Sequence, residues 1–215
     1  MPFSGEDAFL ASFRTLIRQA PFYATYKRLG HYPDYWYWKL RGEPVRSPHL
    51  LKQRTVREYA AQYSLRILVE TGTYYGEMVE AMRSHVERLY SIEFDRALAE
   101  RARRRFARWP HVEILQGDSA SLIPRVLERI AEPALFWLDA GYYGWADSEI
   151  DQSRLLRELD AILRHSVPGH VILLDDARGL DGRHGSPTVT ELKQRIERDF
   201  PGRSVAVKHD ILRIV

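Results

Sequence analysis

Acidic residues close five short apolar runs in this 215-residue chain: Glu70 in ILVETG, Glu93 in LYSIEFD, Asp118 in ILQGDSA, Asp139 in LFWLDAG, and Asp175 with Asp176 in HVILLDDARG. Carboxylates at such ends can accept hydrogen bonds from sugar hydroxyls, share or move a proton, or hold a hard cation through oxygen. Between the first run and the segment after it lie Gly72 and Gly76, in ETGTYYGEM. Glycine lets the backbone bend sharply and lie close against a ligand, and a helix starting there presents free N–H groups. Alone, such a turn is equally a tight strand-to-helix connection. Its neighbours strengthen it: Glu93 stands about twenty residues beyond Gly72, where a doubly wound fold sets an acid against ribose hydroxyls. Asp118, followed by Ser119, also suits a plain helix N-cap.

The elements that would position these residues are strands over Arg66–Thr71, Arg88–Glu93, Val112–Gln116, Ala134–Asp139 and His170–Asp175. Amphipathic stretches near Glu77–His85, Arg96–Arg108, Ser119–Ala131, Ser148–His165 and Thr188–Phe200 read as helices between and after them. Strands too apolar to have a wet face, alternating with helices, imply a parallel sheet covered on both sides. The last two apolar runs, SVAVKHD and ILRIV, are joined too closely for a parallel crossover and must form an antiparallel hairpin. The expectation is an α/β, doubly wound (Rossmann-like), seven-stranded and mostly parallel sheet. Residues 64–215 would form it, with residues 1–63 as a helical, aromatic-rich extension in which Ser47 caps a helix begun by Pro48.

The segments VETGTYYGE, YSIEFD, LQGDS and FWLDAGYY resemble the successive motifs of class I S-adenosylmethionine (SAM)-dependent methyltransferases, over about residues 64–215. That family's first motif runs E/D-x-G-x-G-x-G; here Tyr74 takes the place of the middle glycine. The resemblance implies SAM as cofactor, with Glu70, Thr71, Gly72, Thr73 and Gly76 around its methionine part. It sets Glu93 and Phe94 at the ribose, Asp118 and Ser119 near the adenine, and Asp139 at the reacting end. A dehydrogenase reading would need G-x-G-x-x-G, which Thr73 and Tyr74 interrupt, and would set Glu70 beside a pyrophosphate of like charge.

If the fourth and fifth strands are neighbours, Asp139, Asp175 and Asp176 crowd together, and three carboxylates repel unless a cation or proton joins them. A divalent metal, magnesium above all, is the simplest answer. The three acids also resemble the metal triad of catechol-type and macrocin-type O-methyltransferases. On that resemblance the ion would hold the acceptor hydroxyl, with Asp139 as ligand and base. Alternatively, Asp175 or Asp176 caps a loop or pairs with Arg178. The catechol-type lysine base is replaced by Tyr142, and His184 is a substitute only if its loop brings it in.

A net charge of +3, with 45% hydrophobic and 28% charged residues, describes a globular chain that does not demand an anionic partner. With no cysteine, thiolate metal sites and a cysteine nucleophile are excluded. No signal peptide or membrane span is apparent, so the expected compartment is the cytoplasm. Arg101, Arg104, Arg105 and Arg108 fall on one face of a helix opposite Leu98, Ala102 and Phe106, which reads as a solvated face, not a nucleic-acid site. Tyr23, Tyr26, Tyr32 and the run Tyr35–Trp38 suit an acceptor lid, a pocket wall or a homodimer contact equally; Tyr74, Tyr75, Tyr142, Tyr143 and Trp145 follow the site strands. The leading expectation is O-methylation of a small saccharide or natural-product hydroxyl. The alternatives are metal-independent methylation of nucleic acid or protein, and a non-catalytic partner module.

Overall fold

The computed structural model describes residues 33–43, 47–139, 153–183 and 186–215. Tyr23, Tyr26, Tyr32, Tyr142, Tyr143, Trp145 and His184 lie outside the described residues, as does the start of the helix expected from Ser148.

In chain order the elements are α1 (33–40), α2 (His49–Gln62), β1 (Ile67–Thr71), α3 (Glu77–Met82), β2 (Arg88–Glu93), α4 (Arg96–Phe106), β3 (Val112–Gln116), α5 (Ser119–Leu127), β4 (Ala134–Leu138), α6 (Ser153–Leu163), β5 (Val171–Leu174), a 3-10 turn (Ala177–Gly179), α7 (Val189–Asp199), β6 (Val205–Lys208) and β7 (Ile211–Ile214). The sheet has seven strands in the order β3-β2-β1-β4-β5-β7-β6. Strands β1 to β5 pair in parallel, while β7 runs antiparallel between β5 and β6. The doubly wound expectation is met, terminal hairpin included. Every residue of β1, β4 and β5 is buried, which is the signature of strands with no wet face.

Side-chain alternation divides the core in two. Val69, Ile92, Phe136 and Leu174 pack on one side with Ile123 of α5, Leu159 of α6 and Leu192 of α7. Leu68, Leu89, Trp137 and Leu173 pack on the other with Val56 of α2, Met82 of α3 and Phe106 of α4. Among the described residues three helix starts carry side-chain caps: Asp95 accepts from the Leu98 amide, Asp118 from Ser121, and Thr188 forms a reciprocal capping box with Glu191. The cap expected from Ser47 is not one of them. Its hydroxyl instead donates to the His209 carbonyl, tying the entry of α2 to the β6–β7 turn. No helix among the described residues is long and apolar enough to cross a membrane.

Candidate active site

Parallel register decides which residues share the sheet rim. Thr71 lies opposite Ile92 on one side and Leu138 on the other, and Leu138 lies opposite Leu174. The next residues, Gly72, Glu93, Asp139 and Asp175, therefore emerge at one carboxyl edge. Ladder bonds continue into the turns: the Gly72 amide donates to the Ile92 carbonyl at 2.8 Å, Gly117 to Glu93 at 2.9 Å, Asp139 to Thr71 at 3.1 Å, and Asp175 to Leu138 at 3.0 Å. In this architecture ligands bind where the chain reverses winding, here between β1 and β4.

The turn after β1 is held in a shape few residues adopt. Gly72, Tyr74 and Gly76 have φ of 84°, 48° and 72°. A side chain at Gly76 would meet Phe106 of α4 at 2.6 Å. Tyr74 takes the left-handed conformation, at a cost of order 1 kcal/mol for a residue with a Cβ. Its amide donates to Glu93 Oε2 at 2.7 Å, while Glu93 Oε1 accepts from the Asp95 amide at 2.9 Å. Glu93 is thus buried and clamps β2 to the turn while keeping its place at the rim.

Glu70 is buried at the floor, where the Ser91 hydroxyl donates to it at 2.5 Å and in turn touches Thr73 Oγ1 at 2.6 Å. Burial pushes its carboxyl up to about 8, opposed by the Ser91 hydrogen bond and reinforced by the negative charge of Asp139 and Glu93. Gly72, Ile92, Glu93, Phe94, Gly117, Ser119 and Arg154 line a cleft of ≈ 260 Å³. Asp118 both caps α5 and pairs with Arg154, whose Nε lies 2.8 Å from Asp118 Oδ1 and whose guanidinium stands 5.6 Å from the centre of the Phe94 ring. Ser119 donates to the buried Glu158 of α6.

At the other end of the rim Asp139, Asp175 and Asp176 do converge, but on a cation from the chain itself. Lys52 of α2 pairs directly with Asp175, and its Nζ lies 3.6 Å from Asp176 Oδ1. Asp176, in the left-handed region at φ 51°, is also held by Arg178 at 2.9 Å, and Arg178 reaches Asp210 as well. Asp139 sits deep in the rim with part of its surface open; burial and then repulsion from Asp175 raise its carboxyl well above the usual range. Burial likewise raises Asp175 against the pull of Lys52. Asp175 Oδ1 is buried without a donor, and Asp139 lies within hydrogen-bonding reach of that carboxyl. The arrangement does not fit the divalent ion expected at Asp139, Asp175 and Asp176. Asp175 Oδ2 is paired with Lys52 and Asp176 Oδ1 with both Lys52 and Arg178, and among the described residues no group of three acids or histidines is disposed to hold a metal. Pairing of an aspartate with Arg178, left open from the sequence, is what Asp176 does.

Residues 69–177, half of the chain, match the family model of a methyltransferase domain. The chain belongs to that methyltransferase-domain family. The class I SAM-dependent methyltransferase expected from the motifs is borne out at the level of family and fold. Over 90 residues it is 34% identical to the ribosomal RNA small subunit methyltransferase A of Acidobacterium capsulatum; the match spans 42% of this chain and 32% of that protein. The fold is shared with an O-methyltransferase from Bacillus cereus solved with S-adenosylhomocysteine (TM-score 0.54, 16% identity, 82% of this chain and 86% of that one). It is shared also with the O-methyltransferase TomG from Streptomyces achromogenes solved with SAM (TM-score 0.52, 20% identity, 82% and 84%).

Two features of this methyltransferase domain were invisible in its sequence. Lys52 is separated from Asp175 by 123 positions, and nothing in HLLKQRTV distinguishes it from a surface lysine. On the arginine-rich helix α4, Arg104 and Arg108 are exposed, as a solvated face requires, while Arg101 and Arg105 are only partly so. Arg105 donates to the Tyr75 carbonyl at 2.6 Å and pairs with Glu80, Arg103 donates to the Ile114 carbonyl at 3.0 Å, and Arg101 lies over the Tyr75 ring. Arg101 and Arg105 thus brace the glycine turn, and Arg103 ties α4 to β3.

Proposed function

We propose that this methyltransferase moves the methyl group of SAM to a hydroxyl oxygen of a small-molecule acceptor. The observation that carries this is the single rim on which the glycine turn, Glu93, the Phe94–Ser119 cleft and the Asp139–Asp175 pair lie in sequence, matching a nucleoside at one end and a proton-accepting group at the other. In this reading Glu93 receives the ribose hydroxyls. Phe94, Asp118 and Ser119 border the adenine, while Glu70 and the turn Thr71–Gly76 surround the methionine part, with Glu70 facing its ammonium. Asp139 accepts the acceptor's proton. Burial and the neighbouring Asp175 raise its affinity for protons, which suits it to that task. As the oxygen lone pair forms the new O–C bond, the C–S bond breaks and its electrons return to sulfur, leaving a neutral thioether. Positioning and exclusion of water supply most of the acceleration, because the sulfonium is already an activated donor. The fold neighbours solved with SAM or its product and named as O-methyltransferases support the choice of oxygen. A resident divalent ion has no part in this reading, because Lys52 and Arg178 engage the carboxylates that would carry it.

Methylation of RNA is the second reading, favoured by the likeness to a ribosomal RNA methyltransferase. Against it, two of the arginines of α4 that would meet phosphates, Arg101 and Arg105, are engaged with Tyr75 of the glycine turn. Methyl-labelled SAM offered with a panel of phenols, catechols and saccharides, and in parallel with ribosomal RNA, separates the two. Label on a small hydroxyl compound is the expected result; label on RNA alone would refute the proposal.

A further inference from the structure

Lys52 reaches its partners from a helix on the opposite side of the chain's connectivity, and several contacts fix α2 where it does so. His49 Nε2 lies 3.0 Å from Glu77 Oε2, Gln53 donates to the Glu77 carbonyl at 3.3 Å, and Val56 and Ala60 are buried against the sheet. The helix is thereby docked on the first residue of α3, directly behind the glycine turn, and Lys52 points along the sheet rim to Asp175 and Asp176. Its side chain is 15% exposed and that of Asp175 only 1%. An ammonium so enclosed is stable only beside compensating charge. Asp139, Asp175 and Asp176 together hold its proton on against the cost of burial.

We propose that Lys52 is the permanent cation of the acceptor end: the positive charge that three crowded carboxylates demand comes from the chain, and the enzyme takes no divalent metal there. This rests on the reading of the rim as a methyl-transfer site, and it makes Lys52 the residue that holds Asp175 and Asp176 in place beside Asp139. Two observations carry it besides the acids themselves. The first is the direct Lys52–Asp175 pair. The second is the pair of cations on Asp176, whose Oδ1 lies 3.6 Å from Lys52 Nζ and 2.9 Å from the Arg178 guanidinium. A divalent ion there would meet the like charge of Lys52 on Asp175 and of both Lys52 and Arg178 on Asp176. Removing the lysine should therefore open the site to metal.

The test is Mn²⁺ binding, followed by loss of the free-ion electron paramagnetic resonance signal, on chelator-treated full-length protein. Wild type is expected to bind weaker than about 1 mM. Lys52→Met, which keeps the length and removes the charge, is expected to bind at least about tenfold tighter. That gain should disappear in the Lys52→Met/Asp175→Asn double variant and be absent in Lys52→Arg. Tight Mn²⁺ binding by wild type, abolished by Asp175→Asn, would overturn the proposal. So would a folded Lys52→Met protein that gains no affinity. The wild-type titration decides even if Lys52→Met does not fold. Calorimetry with S-adenosylhomocysteine on the same samples reports the cofactor reading separately. Its failure would show as absent nucleoside binding while the Mn²⁺ pattern stood.

Discussion

Two buried ionisable groups tune the pH range over which the fold is stable, and each gives a test at the level of one side chain. Glu70 is held up to about 8, so the folded chain keeps its proton after the unfolded chain has lost it. The stability linked to that proton is complete below the ordinary carboxylate pKa and is lost as pH rises through about 8. Glu70→Gln, which mimics the protonated acid, should therefore be more stable than wild type. Its advantage should grow by about 2 kcal/mol between pH 6 and 9, read from urea unfolding at each pH. His170 works in the opposite direction. It is fully buried at the amino end of β5, where its Nδ1 accepts from the Ala134 amide at 3.0 Å and Nε2 stands 2.7 Å from His165 Nδ1. Burial, with the positive charge of His165 and Arg203, lowers it to about 4. That contribution is present above the ordinary histidine pKa near 6.5 and is lost as pH falls through about 4. Between pH 7 and pH 5 the urea stability of His170→Asn, whose side chain can still accept from Ala134, should therefore shift in the variant's favour relative to wild type, because only wild type loses the His170 contribution there. Of the site residues, the acids were legible because each closes an apolar run. Lys52 and Arg154 were not, because their meaning lies in contacts that only the folded chain makes.

At the scale of an element, the turn between β1 and α3 is the part most sensitive to shape. Gly76 combines a positive φ with contact to Phe106 at 2.6 Å for any Cβ. Gly76→Ala should cost about 1–3 kcal/mol of stability and at least about tenfold in S-adenosylhomocysteine affinity, by thermal unfolding and calorimetry. Tyr74→Gly should leave that affinity within about threefold, since glycine adopts the left-handed φ of this position freely. The paired result distinguishes a turn whose shape matters from one whose side chains matter. Most elements could be read from the sequence, because strands buried on both faces and helices with one apolar stripe leave different periodicities. The Ser47 cap and the place of Arg105 on α4 were misread for one reason. A hydroxyl near a helix start and arginines along one face each have a local use, and in both places a distant backbone carbonyl claims the donor instead.

For the whole molecule, strand order turns a linear series of acids into a site. The β3-β2-β1-β4-β5 array sets Glu93, Gly72, Asp139 and Asp175 side by side, and the buried core on both faces fixes their spacing. That convergence could be anticipated from the alternation of strands and helices, whereas the cation at its centre could not. Glu93→Ala should weaken S-adenosylhomocysteine binding by about 10- to 100-fold, the effect of losing charge-assisted hydrogen bonds to a ligand. Part of that loss would come through the turn, because Glu93 also accepts from Tyr74. A crystal structure with S-adenosylhomocysteine bound removes that ambiguity. The ribose hydroxyls should lie on Glu93, the adenine between Phe94 and Ser119 beneath Arg154, and the sulfur facing Asp139. Nucleoside density elsewhere on the chain, or a rim left empty at saturating ligand, would contradict the assignment of this edge as the methyl-transfer site.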